Sequence, residues 1–155
     1  MSVRDAAHVR VPPPLVFAAS IGLGFALNAA ASMTFLPSSA ARLAVGVVLV
    51  LTGVSTVVWS AVLLKRSGQN PEPWQPTPSI IKAGPYARSR NPVYVGMTIV
   101  QCGVATISGV VWIYLTACLS VAAVWHFVVA REEAYLQRKF GDEYREYCAQ
   151  VRRWV

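Results

Sequence analysis

Long stretches of this chain carry no charge at all, and no other feature constrains its fold as much. No charged residue stands between Arg10 and Arg42, none between Leu43 and Leu64, and none from Asn91 to Ala130 unless His126 is protonated. A helix that crosses a bilayer needs about 20 apolar residues. The first two stretches each suffice for one such helix, and the third for two. Only 14% of the 155 residues are charged against 55% hydrophobic, where a soluble domain carries about 25% charge. A disordered chain is excluded on that ground, and the composition argues against an ordinary soluble domain.

The expectation is an all-α integral membrane protein with about four transmembrane helices, forming one domain over residues 1–155. The spans fall at about 15–36, 43–64, 93–107 and 110–130. Pro12, Pro13 and Pro14 stop the first helix from extending toward the N-terminus. A stripe of Ala18, Gly22, Ala26 and Ala30 on it reads as generic helix packing. Ser108-Gly109 breaks the last apolar run into a helical hairpin. Its first helix is short for a full span.

The polar segments lie between the spans. The loop 65–92 holds six of the ten prolines, Pro71, Pro73, Pro76, Pro78, Pro85 and Pro92, a density that forbids regular helix. Trp74, Tyr86 and the Ile80-Ile81 pair give it apolar anchors, so it is expected to be ordered on the membrane surface. The tail 131–155 extends the fourth helix, breaks at Gly141, and restarts with Asp142 as N-cap. Tyr144, Tyr147 or Cys148, and Val151 share one face of this last helix, which predicts an amphipathic helix in the headgroup layer. Arg152, Arg153 and Trp154 then anchor it there or reach into a site.

The net charge of +7 does not point to nucleic acid, because the basic residues flank apolar spans. With both termini cytoplasmic, thirteen of the fourteen basic residues face the cytoplasm and only Arg42 faces away, as the positive-inside rule requires. Cys102, Cys118 and Cys148 are too few and too scattered for a disulfide framework. Two histidines without a cysteine pair make no zinc site, and no metal is expected. The chain has no phosphate loop, dinucleotide fingerprint or nucleophile elbow.

Two polar clusters remain. One is Gly84-Pro85-Tyr86-Ala87-Arg88-Ser89-Arg90-Asn91-Pro92-Val93-Tyr94-Val95-Gly96, and the other begins with Glu132-Glu133. The pattern GPYxxSRNPxYxG followed by EExxLxxxFGxEYxxYxxxVxRW resembles the isoprenylcysteine carboxyl methyltransferase and phospholipid N-methyltransferase superfamily. The likeness covers about Lys65 to Trp154. One departure is that many members carry His-Pro where this chain has Asn91-Pro92. Asparagine hydrogen-bonds but cannot shuttle a proton at neutral pH.

The resemblance implies an integral membrane enzyme that uses S-adenosylmethionine and methylates an amphipathic lipid or prenylated small-molecule acceptor among the membrane lipids. It implies catalytic roles for Arg90, Tyr94 and Arg153. Cofactor binding falls to Tyr86, Arg90, Asn91, Pro92, Tyr94, Gly96, His126, Glu132 and Glu133. The chemistry of these residues suits such a ligand. Carboxylates take an amino group or a ribose diol, an arginine takes a carboxylate bidentately, and Tyr86 and Tyr94 offer ring faces to a sulfonium. Glu132 and Glu133 stand about 100° apart on a helix. Glu133 lies seven residues after His126, so Glu133 is expected to point inward with His126 and Glu132 to matter less.

The expected acceptor chemistry is most like that of isoprenylcysteine carboxyl O-methyltransferases, because no dedicated base for an amine is apparent. A phospholipid amine N-methyltransferase is the alternative within the family. A non-enzymatic lipid-binding four-helix protein is the alternative outside it. That last reading makes Glu132-Glu133 a solvated helix end, makes Arg88, Arg90 and Arg153 headgroup anchors, and makes His126 a packing residue. S-adenosylhomocysteine binding separates the two classes.

Overall fold

A computed structural model describes residues 12–35, 38–69 and 77–155. Arg4 and Arg10, Pro71, Pro73, Pro76 and Trp74 lie outside them. Five helices make up the described chain: α1 (Pro13–Ala30), α2 (Ala40–Arg66), α3 (Pro92–Ser108), α4 (Val111–Phe140) and α5 (Asp142–Gln150). Three of them, α1, α2 and α4, are long and apolar enough to cross a membrane, while α3 is a shorter apolar helix. Its 17 residues rise about 25 Å, short of a hydrocarbon core of about 30 Å.

Local chemistry sets the helix ends. Pro13 and Pro92 occupy first helical positions, where the missing N–H costs nothing. The Ser39 hydroxyl accepts from the Arg42 amide and caps α2. Lys65 and Arg66 sit in the last turn of α2, where cations oppose the helix dipole. Gly109, at φ +72°, ends α3 in the left-handed conformation. Gly141 ends α4 with φ +53° and itself takes the place before α5, so Asp142 is the first helical residue rather than the cap.

The first helix is shorter than expected. It stops at Ala30, and residues 31–35 run extended to meet the turn between α3 and α4. Phe35 N donates to Gly109 O at 3.0 Å and Val111 N to Met33 O at 2.9 Å, forming one antiparallel bridge between Thr34 and Val110. The Asn28 side chain accepts from Met33 N, which supports the departure from helix. Arg42, the basic residue set apart from the rest, donates to Ile107 O at 3.4 Å and so meets the negative end of α3.

Helix α2 packs mainly on α3, and α1 on α4. The α2–α3 contact is a glycine seam. A Cβ on Gly53 would stand 2.6 Å from Gly96 O, and one on Gly103 would stand 2.9 Å from Gly46 O. Such close backbone approach is how helices associate where lipid supplies no hydrophobic drive. The α1 stripe of Ala18, Gly22, Ala26 and Ala30 is exposed instead. A buried polar network ties α1, α3 and α4 together in mid-bundle. Gln101 Nε2 donates to Ser20 Oγ at 2.9 Å, and Ser120 Oγ donates to Ser20 Oγ at 2.6 Å and to Gln101 Oε1 at 3.3 Å.

The loop after α2, the start of α3, the end of α4 and all of α5 gather at one end of the bundle. Helix α5 does not splay outward. Tyr144, Tyr147 and Val151 are buried against Ile80, Leu136 and Phe140, so its apolar face covers the bundle end rather than lipid.

Candidate active site at the bundle end

Where α3 begins, the loop and the C-terminal tail are stitched together through backbone groups. Arg90 N donates to Arg152 O at 3.0 Å, Asn91 Nδ2 to Arg153 O at 3.1 Å, and Ser89 Oγ to the same carbonyl at 3.3 Å. Ser89 Oγ also accepts from Asn91 N. The residue that departs from the His-Pro pattern thus holds the tail in place. Tyr147, whose burial pushes its hydroxyl up to about 12, stays protonated and donates to Tyr86 O at 2.7 Å. Burial, then the Glu132 charge, pushes the Tyr86 hydroxyl up as well.

These contacts enclose a cavity of about 150 Å³ whose walls include Tyr86, Arg90, Asn91, Pro92, Tyr94, Glu132 and Glu133. Both polar clusters of the sequence therefore meet in one hollow. Tyr94 Oη donates to the two Glu132 oxygens at 3.3 and 3.2 Å. No cation among the described residues pairs with Glu132. Glu133 takes the opposite partners. Its oxygens accept from Arg153 Nε at 2.9 Å and Nη2 at 2.8 Å, and Arg90 Nη1 lies 3.3 Å from Oε1. The hydrogen bonds to Glu133 hold the Arg153 guanidinium above its ordinary value. Arg90 also donates to Cys148 Sγ, and its Nε is buried without a partner among the described residues.

Three expectations change. Glu132 faces the cavity as fully as Glu133 does. His126 does not share their side: it is exposed, outside the cavity walls, with its ring edge-on to Phe127. The cause is a π-helical turn at Trp125–Val129 inside α4. A π turn spends one extra residue, about 100° of helical phase, so the seven-residue spacing no longer returns to one face. Gly96 also lies off the cavity walls. It faces α2, where a Cβ would stand 2.7 Å from Val57 Cγ2 and 2.8 Å from Gly53 O.

The cavity has walls that the motif reading left out: Gln69, Tyr135, Tyr144 and Tyr147. The two α5 tyrosines were visible as an apolar face but not as a wall of the site. Gln69 donates to Ser79 O at 2.6 Å and braces the loop; nothing in its sequence context marks it.

Fold and site together define a class: a multi-span helical membrane protein with a charged, aromatic cavity closed over one end of a helical hairpin. The chain belongs to the phospholipid methyltransferase family, which matches residues 41–143, and it is a membrane methyltransferase of that family. An uncharacterized protein of Haemophilus influenzae is 48% identical over 42 residues, covering 27% of this chain and 67% of the relative. No solved structure matches the chain significantly.

Proposed function

We propose that the chain transfers a methyl group from S-adenosylmethionine to a lipid-like acceptor at the membrane surface, with both termini and the cavity on the cytoplasmic side. The observation that carries this reading is the meeting of Arg90, Arg153 and Glu133 beside the Glu132–Tyr94 pair in one cavity. The residues fit the cofactor in two respects. Among the described residues, the cluster of two guanidiniums and one carboxylate carries one surplus positive charge, and Arg90 Nε is buried with no acceptor.

S-adenosylmethionine supplies a methyl already activated on a sulfonium sulfur. The protein's work is then positioning and the exclusion of water. Arg90 offers its unused Nε to a carboxylate. Glu133, held from two sides, and Glu132, held by Tyr94, offer acceptors to an amino group or to hydroxyls. Tyr86 and Tyr94 supply aromatic surface for a cation. The α5 helix covers the cavity, and the bonds from Ser89, Arg90 and Asn91 to the tail backbone keep that cover closed.

Ionised carboxylate acceptors need no base, which suits an isoprenylcysteine-type O-methylation. A second acceptor chemistry has one observation behind it. Glu132 is a carboxylate without a cationic partner among the described residues, and an amine acceptor, which must lose its proton, could give it to such a group. Phospholipid amine N-methylation therefore stands as the second reading. Calorimetric titration of the purified protein with S-adenosylhomocysteine tests the function, with binding expected and its absence decisive against it. Labelled-methyl transfer into a native lipid extract then identifies the acceptor.

A further inference from the structure

Exposed basic charge at the cavity end of the bundle is of two kinds. Over α5 it is neutralised: Arg145 pairs with Asp142, and Lys82 Nζ lies 3.4 Å from Glu143 Oε1. Beside the start of α3 it is not. Arg88 and Arg152 are both exposed, and no carboxylate among the described residues pairs with either. They belong to the two segments that the backbone bond from Arg90 N to Arg152 O joins. Arg152 stands at that junction and Arg88 two residues before it. Neither lines the polar cavity.

Tryptophans fix the depth of this junction. The turn before Arg88 lies on α2, where a Cβ on Gly84 would stand 3.3 Å from Leu63 Cδ2 and 3.4 Å from Trp59 Cζ2. Trp154, two residues after Arg152, packs against the buried cluster of Phe17, Tyr94 and Val124. Trp59 and Trp125 are exposed on the outside of the bundle. Indole rings settle where hydrocarbon meets headgroups, so the two arginines stand at the level of the lipid phosphates.

We propose that Arg88 and Arg152 together seat the phosphate of an anionic phospholipid, and that the bound headgroup staples the loop to the tail. Guanidinium and phosphate match in charge and in fork geometry. A choline headgroup carries its own cation and cancels the attraction, so the seat selects a net negative lipid. The effect reaches the cavity through the backbone. The carbonyls of Arg152 and Arg153 hold Arg90, Ser89 and Asn91, and Arg90 and Asn91 are cavity walls. A lipid that bridges the two segments favours the closed junction and tightens cofactor binding from outside the cavity. The lipid seat stands on the geometry alone; its effect on the cofactor rests on the methyltransferase reading and adds regulation by the surrounding bilayer.

Native mass spectrometry of the full chain follows the binding of added phosphatidylglycerol or phosphatidylcholine. Wild-type protein should take the glycerol lipid about tenfold or more tightly. Arg88→Gln and Arg152→Gln should each reduce that preference about fivefold, and lysine at either position should restore most of it. Arg145→Gln removes the same charge from a paired site and should leave the preference unchanged. Calorimetry in nanodiscs should show S-adenosylhomocysteine bound several-fold more tightly in phosphatidylglycerol than in phosphatidylcholine. The two glutamine variants should lose that gain and keep wild-type affinity in phosphatidylcholine. By linkage, S-adenosylhomocysteine should tighten phosphatidylglycerol binding by the same factor. Equal affinity for the two lipids, or a loss in Arg145→Gln as large as in Arg88→Gln, makes the charge diffuse and overturns the seat. Selective lipid binding with one S-adenosylhomocysteine affinity in both bilayers overturns the staple. Selective lipid binding by a protein that binds no S-adenosylhomocysteine in either bilayer supports the seat and overturns the methyltransferase reading.

Discussion

Glu133 grips Arg153 through two hydrogen bonds, 2.9 and 2.8 Å long, and so fastens the C-terminal tail to the end of α4. Arg90 approaches the same carboxylate from the start of α3. One side chain thereby joins the start of α3, α4 and the C-terminal tail beside the polar cavity.

Glu133→Gln removes the charge and keeps the shape. Loss of charge-assisted bonding worth about 1.5–3 kcal/mol should weaken S-adenosylhomocysteine binding roughly 10–150-fold, measurable by calorimetry. Affinity equal to wild type would make Arg90, Glu133 and Arg153 headgroup anchors and move the site elsewhere.

The two acceptor chemistries part at Glu132. If it accepts the proton of an amine, Glu132→Gln should lower turnover by about 10²–10⁴-fold and leave S-adenosylhomocysteine affinity close to wild type. If it binds the cofactor, affinity falls instead. Tyr94→Phe, which removes the hydroxyl that Glu132 accepts from, should move the same quantity in the same direction.

Gly96 was expected to bind cofactor, yet it packs against Gly53. Gly96→Ala should therefore cost about 1–3 kcal/mol of stability by forcing α2 and α3 apart. A lowered thermal midpoint with binding stoichiometry intact is the expected result. Lost binding at unchanged stability would return Gly96 to the site.

The Gln101 network predicts its own effect. Interhelical hydrogen bonds in membranes average about 0.6 kcal/mol each, and Gln101 makes contacts to Ser20, Thr116 and Ser120. Gln101→Leu should destabilise the bundle by about 1–2 kcal/mol. Stability at or above wild type would show that the network does not hold α1 in place.

Cysteines introduced at Ser38 and at Ser67, which lie at opposite ends of α2, should react with impermeant reagents from opposite sides of the membrane, with Ser67 on the cytoplasmic side. Labelling from one side alone would remove the four-span arrangement.

The sequence by itself determined where the apolar helices begin and end. Charge-free runs, Pro13, Pro92 and Gly109 are local signals, and the helices begin and end within a few residues of them, except at Ala30, where pairing with the Gly109 turn draws the chain out of helix. It also supplied the two polar clusters whose residues wall the cavity. Only the tertiary structure decided which way those residues point. The face of α4 depends on a π turn at Trp125–Val129, and a spacing argument built on 3.6 residues per turn cannot anticipate the extra residue. The closing of the tail depends on the carbonyls of Arg152 and Arg153. Every residue carries that group, so no side chain announces that those two will be used.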